Sequence, residues 1–372
     1  MSIFNKIKSF FGQSSVTDDT DVLIGLGQKY YKQNDFERAQ FFFGKAINHN
    51  PNNVDYLNMY GKALYKNNQI AGAINAFKKA INNTPGDMRA YKSLGNLYLD
   101  QSEPRAAIEI FNKAVNINPG FAEGYYQLGY IHYSMLNDLG NAVNYLKKSV
   151  NSDSINYNAY LFLGDIELNN QRYDEALIYY QNAAKVNGKV AEPFYKLGLV
   201  FEAKNNENAA FNYFDRVLEI NDKHEMALFK IGKYYDLRGN KDLAIDYYKK
   251  AEKVNPENGD VLLNMGEAYF ETDKLETAEI YLQRALKHNR NNRSAKVLLA
   301  KIWNKKNMPE EQIEILRSIT DRTPDPEIFL MLAKAYGKMN NEEKEKEYYI
   351  KLAKLNNEEA IGWLEKRSIT IE

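Results

Sequence analysis

The sequence predicts an all-α fold, an α-solenoid of stacked antiparallel helix pairs, and two observations predict it. Small residues recur about every 34 positions in two series, the second about twelve residues behind the first. Each repeat also carries two apolar stripes with the 3.6-residue period of an amphipathic helix. The first series is Gly27, Gly61, Gly95, Gly129, Gly164, Gly198, Gly232 and Gly266. The second is Ala39, Ala73, Ala107, Ala142, Ala176, Ala210, Ala244 and Ala278.

The third repeat shows how these residues build one helix pair. Antiparallel helices approach to about 8 to 10 Å only where the side chains at the crossing allow it, so the glycine and the first alanine must be small. Proline disfavours α geometry in the residue before it, and it ends four repeats, at Pro51, Pro85, Pro119 and Pro256. The two stripes of the third repeat are Tyr91, Leu94, Gly95 and Tyr98, then Ala107, Phe111 and Ala114. A third small series allows the next repeat to pack as closely: Ala46, Ala80, Ala114, Ala183, Ala251 and Ala285.

This spacing resembles that of the tetratricopeptide repeat family, whose helix-turn-helix unit has small residues, aromatic residues and a proline at these offsets. The resemblance implies a right-handed superhelix with a concave groove, and eight repeats match well. Gln312 and Glu345 replace the first alanine in two weaker repeats, so looser or rotated helix packing is expected there. The weaker repeats are marked by Ala300, Trp303, Leu316 and Pro324, then by Ala333, Tyr336 and Tyr349.

Ten repeats are expected between residues 20 and 357. Residues 1–19 are then an amphipathic segment and a linker, and residues 358–372 a capping helix and a tail. The expected repeats are 20–53, 54–87, 88–121, 122–156, 157–190, 191–224, 225–258, 259–292, 293–325 and 326–357.

Composition favours a protein that acts through its surface. The 49 basic and 49 acidic residues balance, which argues against a nucleic-acid or membrane binder acting over its whole surface. The absence of cysteine excludes disulfides, thiolate metal sites and cysteine nucleophiles. His49, His132, His224 and His288 lie far apart, and His132 occupies a packing position where a core histidine with a hydrogen bond is expected. No phosphate loop or nucleophile elbow occurs, so we expect no enzyme activity, no cofactor and no metal.

Function is expected on a face of each first helix that packing leaves open. If positions 4, 7, 8 and 11 of a repeat pack, positions 5, 9 and 12 share a neighbouring face, and the resemblance implies that this groove face binds the partner. In the eight well-matched repeats this face has 24 positions, and eight of them are aromatic, whereas aromatic residues make up 13% of the whole chain. These aromatic residues form either a recognition site or ordinary packing contacts. The candidate partner-binding residues are Tyr31, Tyr65, Lys92, Asn96, Tyr126, Tyr130, Tyr133, Tyr195, Phe229, Lys233, Asp236, Glu267 and Phe270.

One specialisation of the family, a clamp for the two carboxylates of an acidic chaperone tail, is only half matched. Lys92 and Asn96 agree with the first pair of clamp residues that the resemblance implies. Gln127, Asn158 and Phe162 occupy the remaining places, so the basic half of the clamp is missing. A receptor for chaperone tails is therefore not expected.

Basic residues are concentrated near the end of the eighth repeat and in the ninth. No acidic residue occurs from position 281 to 309, whereas acidic residues dominate just before it. Adjacent repeats either neutralise one another or present a basic patch to an acidic protein partner, to nucleic acid or to lipid headgroups. The candidate patch is Arg284, Lys287, Arg290, Arg293, Lys296 and Lys301.

The first eleven residues, MSIFNKIKSFF, form an amphipathic pattern outside the repeats. Lys6 and Lys8 interrupt the apolar residues, which excludes a signal peptide, and the segment is too short to cross a bilayer. It is expected to cap the first repeat, to bind a membrane surface, or to dock into a partner or another copy. Its apolar face consists of Ile3, Phe4, Ile7, Phe10 and Phe11.

These observations favour a non-enzymatic, cytoplasmic adaptor that binds a protein or peptide in the groove. Two alternatives stay open. One is a membrane-associated scaffold that self-associates through its N-terminal segment, with peripheral membrane contact. The other is a regulatory subunit of a separate enzyme. Nucleic acid is disfavoured as a partner because the formal charge is zero.

Overall fold

The computed structural model describes residues 19–153, 155–319 and 325–370. Those residues form 21 α-helices and contain no β-strand, which confirms the predicted all-α solenoid of helix pairs. The helices are α1 (Thr20–Lys32), α2 (Phe36–His49), α3 (Val54–Lys66), α4 (Ile70–Asn83), α5 (Met88–Asp100), α6 (Pro104–Ile117), α7 (Ala122–Ser134), α8 (Leu139–Ser152), α9 (Tyr157–Asn169), α10 (Tyr173–Val186), α11 (Ala191–Ala203), α12 (Glu207–Ile220), α13 (Glu225–Leu237), α14 (Lys241–Val254), α15 (Gly259–Glu271), α16 (Leu275–His288), α17 (Arg293–Lys305), α18 (Pro309–Arg317), α19 (Pro326–Lys338), α20 (Glu342–Ala353) and α21 (Glu358–Glu365).

The described residues divide into two compact bodies. The N-terminal body ends at Gly188 and contains α1 to α10, whereas the C-terminal body begins at Lys189 and contains α11 to α21. Within each body the two helices of a repeat pack against each other, and each second helix packs against the first helix of the next repeat. The core of each body is therefore a series of small apolar layers between neighbouring helices.

Close packing at the helix crossings explains the small-residue series. All eight alanines of the second series are buried. A Cβ atom added to Gly27 would lie 2.4 Å from Cε1 of Phe43, and one added to Gly198 would lie 2.5 Å from Cε1 of Phe214. Since real Cβ contacts are longer than this, glycine is the residue that lets the ring of the second helix lie over the first helix.

A left-handed residue follows the first helix of each repeat. Asn34 has φ 59°, Asn68 has φ 58° and Asn205 has φ 56°, in the region that asparagine tolerates better than most residues. Ser102 and Gln171 adopt the same conformation at the equivalent turn. The turn thereby reverses the chain within a few residues, which allows the second helix to fold back on the first.

The two residues that replace the first alanine in the weaker repeats are accommodated differently. Gln312 is 1% exposed, its Oε1 has no hydrogen-bond partner, and its helix α18 has only 9 residues. Glu345 places its Oε1 2.7 Å from the position that a Cβ on Gly337 would occupy. A long polar side chain therefore fills each crossing at which the other repeats have a methyl group.

His132 lies in the packing position that the sequence indicates. Its Nδ1 is 3.1 Å from Oδ2 of Asp138, and its ring centroid is 5.4 Å from that of Tyr145. The side chain is 13% exposed. It thus joins α7 to the turn that precedes α8 and to α8 itself.

Candidate functional site

The predicted groove-face residues lie in both bodies, and most are half-buried. Among them Lys92 is exposed and Phe229 is buried. The N-terminal body contains Tyr31, Tyr65, Lys92, Asn96, Tyr126, Tyr130 and Tyr133. The C-terminal body contains Tyr195, Phe229, Lys233, Asp236, Glu267 and Phe270. Most of these side chains therefore pack along one side and meet solvent along the other.

Three tyrosines of α7 surround one phenylalanine of α9. The rings of Tyr126, Tyr130 and Tyr133 lie 6.0, 5.7 and 5.8 Å from the ring of Phe162, each in edge-to-face geometry. Asn169 Nδ2 donates a hydrogen bond of 3.3 Å to the hydroxyl of Tyr133. Each such ring pair contributes about 0.5 to 1.5 kcal/mol beyond its buried area, so these four rings, the aromatic cluster, are held rigidly.

The aromatic cluster also takes part in packing. Tyr126 and Tyr133 contact a core cluster that contains Leu146 and Leu163, while Tyr130 contacts the preceding core cluster. Burial is the main reason that the pKa of Tyr126 is raised. These tyrosines therefore stabilise the helix packing and present ring edges on the surface at the same time.

The half-matched clamp pair is neutralised within the chain. Nζ of Lys92 lies 3.0 Å from Oε1 of Glu123, and Nε2 of Gln127 donates to the same oxygen over 3.3 Å. The Oδ1 of Asn96 is buried without a hydrogen-bond partner. A partner carboxylate would have to compete with Glu123 for Lys92, whose side chain is 49% exposed.

The tyrosines of the first two repeats are held by different contacts. The ring of Tyr31 meets that of Phe36 edge to face at 5.3 Å. The hydroxyl of Tyr65 donates a hydrogen bond to Asp100, and this bond, with burial and the nearby negative charge, raises the pKa of Tyr65 to about 12. The Tyr65 contact joins α3 to α5, so neighbouring first helices are linked along the groove face.

Tyr195 of the C-terminal body packs against the histidine that caps the first helix of the next repeat. The ring centroids of Tyr195 and His224 are 5.0 Å apart, and Nδ1 of His224 accepts a hydrogen bond of 3.2 Å from the amide of Ala227. Burial lowers the pKa of His224. The neutral imidazole is therefore the form that caps α13, because the protonated ring has no acceptor.

Asp236 lies at the centre of an ionic network that joins α13, α14 and α15. It accepts a hydrogen bond of 3.3 Å from the hydroxyl of Tyr248 and pairs with Lys241, which also pairs with Glu271. Glu267 lies beside this network, and burial, then Glu271 and Asp236, raise the pKa of its carboxyl. The charged groove-face residues of these repeats are thus largely engaged with one another.

Lysines cover the two predicted phenylalanines of the C-terminal body. Nζ of Lys233 lies 5.9 Å from the ring centroid of Phe229, and Nζ of Lys305 lies 5.0 Å from that of Phe270. Both distances are within the range of a cation–π contact. The ring of Phe229 also lies 5.9 Å from that of Tyr248, so Phe229 contacts both a cation and a buried ring.

Half of the candidate basic patch forms ion pairs with acids that lie in neighbouring helices or at the N-cap of one. Nζ of Lys296 lies 2.8 Å from the hydroxyl oxygen of Ser318. Lys287 and Arg290 have no ion pair among the described residues. The ion pairs are Arg284 with Glu252, Arg293 with Asp325, and Lys301 with Glu327.

The predicted N-terminal apolar face lies outside the described residues. It comprises Ile3, Phe4, Ile7, Phe10 and Phe11. Among the helices that the structure describes, none has the length and apolar character needed to cross a membrane. Within the same residues, no group of three or more histidine and carboxylate side chains could hold a metal ion.

The structure adds three residues to the site that the sequence did not single out for these roles. Phe162 completes the aromatic cluster, Glu123 neutralises Lys92, and His224 supports Tyr195. Each lies about one repeat away in sequence from a residue that it contacts. Such contacts can be predicted only by comparing side chains in adjacent repeats, because they do not follow from the pattern within one helix.

Comparisons with known proteins agree with this architecture. Family models described as tetratricopeptide repeat match residues 30–97 and 237–302, residues 133–192 and 163–225, and residues 89–121 and 326–359, which together exceed half of the chain. No curated protein sequence matches the chain.

The chain is similar to several solved structures, and two of these similarities reach a TM-score above 0.5. The C-terminal part of a repeat protein from Cytophaga hutchinsonii is 19% identical with a TM-score of 0.53, over 65% of this chain and 99% of that one. Pseudomonas aeruginosa PilF is 21% identical with a TM-score of 0.51, over 57% of this chain and 96% of its own. YrrB, described as having an unusual peptide-binding site, is 26% identical with a TM-score of 0.44, over 52% and 98%. With its glycine crossings, its helix pairs and these family matches, the chain belongs to the tetratricopeptide repeat family.

Proposed function

We propose that the chain is a non-enzymatic scaffold that binds an extended segment of a protein partner on the groove face of its N-terminal body. The family supports a role in protein interaction, and the aromatic cluster is the observation that carries the more specific proposal. Tyr126, Tyr130 and Tyr133 stand on successive turns of one helix around the ring of Phe162. Rigid rings give a partner a large contact area at little cost in side-chain entropy.

The polar atoms of the cluster suit an extended peptide. The hydroxyls of Tyr126 and Tyr130 have no hydrogen-bond partner among the described residues, whereas that of Tyr133 accepts from Asn169. An extended segment has backbone carbonyls that internal structure does not satisfy, and tyrosine hydroxyls can donate to them. The ring edges meanwhile offer apolar surface to the side chains of the partner.

The helix bounds also support the proposed division into ten repeats. Helices α1, α3, α5, α7, α9, α11, α13, α15, α17 and α19 each begin at the first residue of a proposed repeat. Helix α21 begins at Glu358, the first residue of the proposed capping segment. We retain these boundaries as the units within which partner-binding residues are to be compared.

A random dodecapeptide library displayed on phage and selected on the intact chain tests the proposed function. We expect peptides to be enriched and at least some to lose about tenfold or more in affinity when Tyr130 becomes alanine. Tyr145→Ala is the matched control, because Tyr145 lies in the same repeat on the second helix, where its ring contacts Tyr125 and His132. Circular dichroism of both variants checks that the helices persist.

Two results would contradict the proposal. One is that no peptide is enriched over repeated rounds of selection. The other is that the Tyr130 and Tyr145 variants bind every selected peptide as well as the original chain does. In either case the aromatic cluster serves packing alone.

A further inference from the structure

A small pocket opens between the first helices of the first two repeats. It has a volume of about 130 Å³ and lies between α1 and α3, away from the aromatic cluster. Carbon atoms of apolar and long side chains form its inner surface. Its lining residues are Gln28, Tyr31, Lys32, Phe43, Met59 and Lys62.

The local sequence explains why the pocket exists and why the side chains that line it are held in place. Because Gly27 has no side chain, the ring of Phe43 reaches across the crossing from α2 and lines the pocket while staying 2% exposed. Tyr31 forms a wall whose ring is fixed by Phe36 at 5.3 Å. The pocket is therefore built on side chains that the fold already holds in place.

Two lysines give the opening of the pocket a positive charge. Neither Lys32 nor Lys62 forms an ion pair among the described residues. Lys62 is close enough to help lower the pKa of Asp87, but that carboxylate is bound by Arg89 at 2.6 Å. Both ammonium groups can therefore pair with an anionic group brought by a ligand.

We propose that this pocket binds a leucine, isoleucine or methionine side chain of a partner peptide whose neighbouring residue is aspartate or glutamate. The inference rests on the proposed function, since it assigns one contact of the same partner segment. An apolar cavity of about 150 Å³ accommodates benzene, so about 130 Å³ suits an aliphatic side chain. Lys32 and Lys62 would then pair with the acidic neighbour at the edge of the pocket.

Charge argues against the N-terminal segment of this chain as the occupant. Its phenylalanines are accompanied by Lys6 and Lys8, which would lie near Lys32 and Lys62 with the same sign. An acidic peptide is the ligand whose charge and apolar side chain both match the pocket.

The same display library tests this assignment on the intact chain with a pair of charge-reversal variants. We expect an aliphatic residue beside aspartate or glutamate in a class of selected peptides. Lys32→Glu with Lys62→Glu should weaken that class about tenfold or more, and selection on this variant should favour an aliphatic residue beside lysine or arginine. Lys78→Glu with Lys79→Glu, which changes two exposed lysines of α4, is the matched control and should leave binding unchanged.

A second variant fills the pocket and leaves Lys32 and Lys62 unchanged. Gln28 is exposed at the pocket, so Gln28→Trp should retain the fold and block entry of the aliphatic side chain, with the same loss of about tenfold or more for that class of peptide. Replacing the aliphatic residue of a selected peptide by alanine should weaken binding to the original chain by a similar factor.

The outcomes separate this inference from the proposed function. Selected peptides that depend on Tyr130 but bind the pocket variants normally would overturn the pocket assignment and leave the scaffold proposal intact. Enrichment of no peptide would overturn both. Binding of phosphatidylserine vesicles that charge reversal abolishes, with no aliphatic-acidic peptide selected, would also overturn the assignment by making the lysines a lipid contact.

Discussion

A methyl group added at Gly198 tests the packing argument on which the fold rests. The added Cβ would lie 2.5 Å from Cε1, 2.7 Å from Cδ1 and 2.9 Å from Cζ of Phe214. The Phe214 ring is 3% exposed and is flanked by Tyr195 at a centroid distance of 5.7 Å, so it has little room to withdraw. Gly198→Ala therefore forces the two helices apart or distorts the ring rotamer.

Two opposing effects set the magnitude. Overpacking a core costs about 1 to 3 kcal/mol, while replacing glycine by alanine inside a helix gains about 1 kcal/mol. Gly25→Ala is the matched control, since Gly25 is a helical glycine with no heavy atom within 4 Å of an added Cβ. Because both variants carry the same gain, the difference between them isolates the clash, about 1 to 3 kcal/mol in the free energy of unfolding.

Urea unfolding followed by circular dichroism, with hydrogen exchange of the α11 and α12 amides, measures this difference. Exchange is needed because long repeat arrays do not always unfold in one step. Phe214→Ala completes a double-mutant cycle: it should cost about 3 to 5 kcal/mol alone, and Gly198→Ala should be harmless in its presence. If Gly198→Ala stabilises the chain as much as Gly25→Ala does, or if the cycle shows no coupling, the reasoning about the crossings is refuted.

Three further predictions concern His224, Asn58 and the N-terminal segment. Because folding lowers the pKa of His224, the unfolded chain binds the proton at a higher pH than the folded chain does, and the free energy of unfolding should decrease as the pH falls through about 6.5 and below. His224→Asn keeps the helix cap and should therefore flatten the dependence of Tm on pH between about pH 7.5 and 5.5. Asn58 is 5% exposed with both polar side-chain atoms unpartnered, so Asn58→Leu should raise the free energy of unfolding by about 1 kcal/mol in urea, and a loss would mean that the site is too small for leucine. Deleting residues 1–11 should preserve helical circular dichroism but change anionic liposome flotation or sedimentation, and no change in either would exclude both the anchor and the assembly role.

The fold was predictable from the sequence because its constraints repeat. One glycine and one aromatic residue at a fixed offset, such as Gly95 and Phe111, describe a steric contact that the structure contains, with an added Cβ at 2.4 Å from the ring. The period of the apolar residues indicates which side of a helix is buried. In this fold the buried side of a helix is the side that contacts the neighbouring helices. The left-handed turn residue after each first helix was harder to predict, because four of the ten repeats have another residue where the remaining six have asparagine. These four residues are Ser102, Gln171, Gly239 and Asp273.

The candidate site was predictable only as a face. Position numbers place Tyr126, Tyr130 and Tyr133 on one side of α7, but they do not say what that side contacts. The partner ring, Phe162, is supplied by the next first helix and depends on how two repeats are stacked. Likewise, the neutralisation of Lys92 by Glu123 requires the actual distance of 3.0 Å, which a helix pattern does not give.

The basic residues near position 290 show why charge in a repeat protein cannot be summed along a short window. Arg284 pairs with Glu252 and Lys305 with Asp273, each partner lying 32 positions earlier in the sequence. That separation is close to one repeat, because equivalent helices stack side by side and bring residues about one repeat apart into contact. A run without acids is therefore compatible with a surface on which many of its cations are paired. A partner would therefore meet mainly those cations that form no ion pair with a neighbouring repeat. Within the candidate patch, Lys287 and Arg290 form no ion pair among the described residues, so they are the first residues to substitute in a binding test.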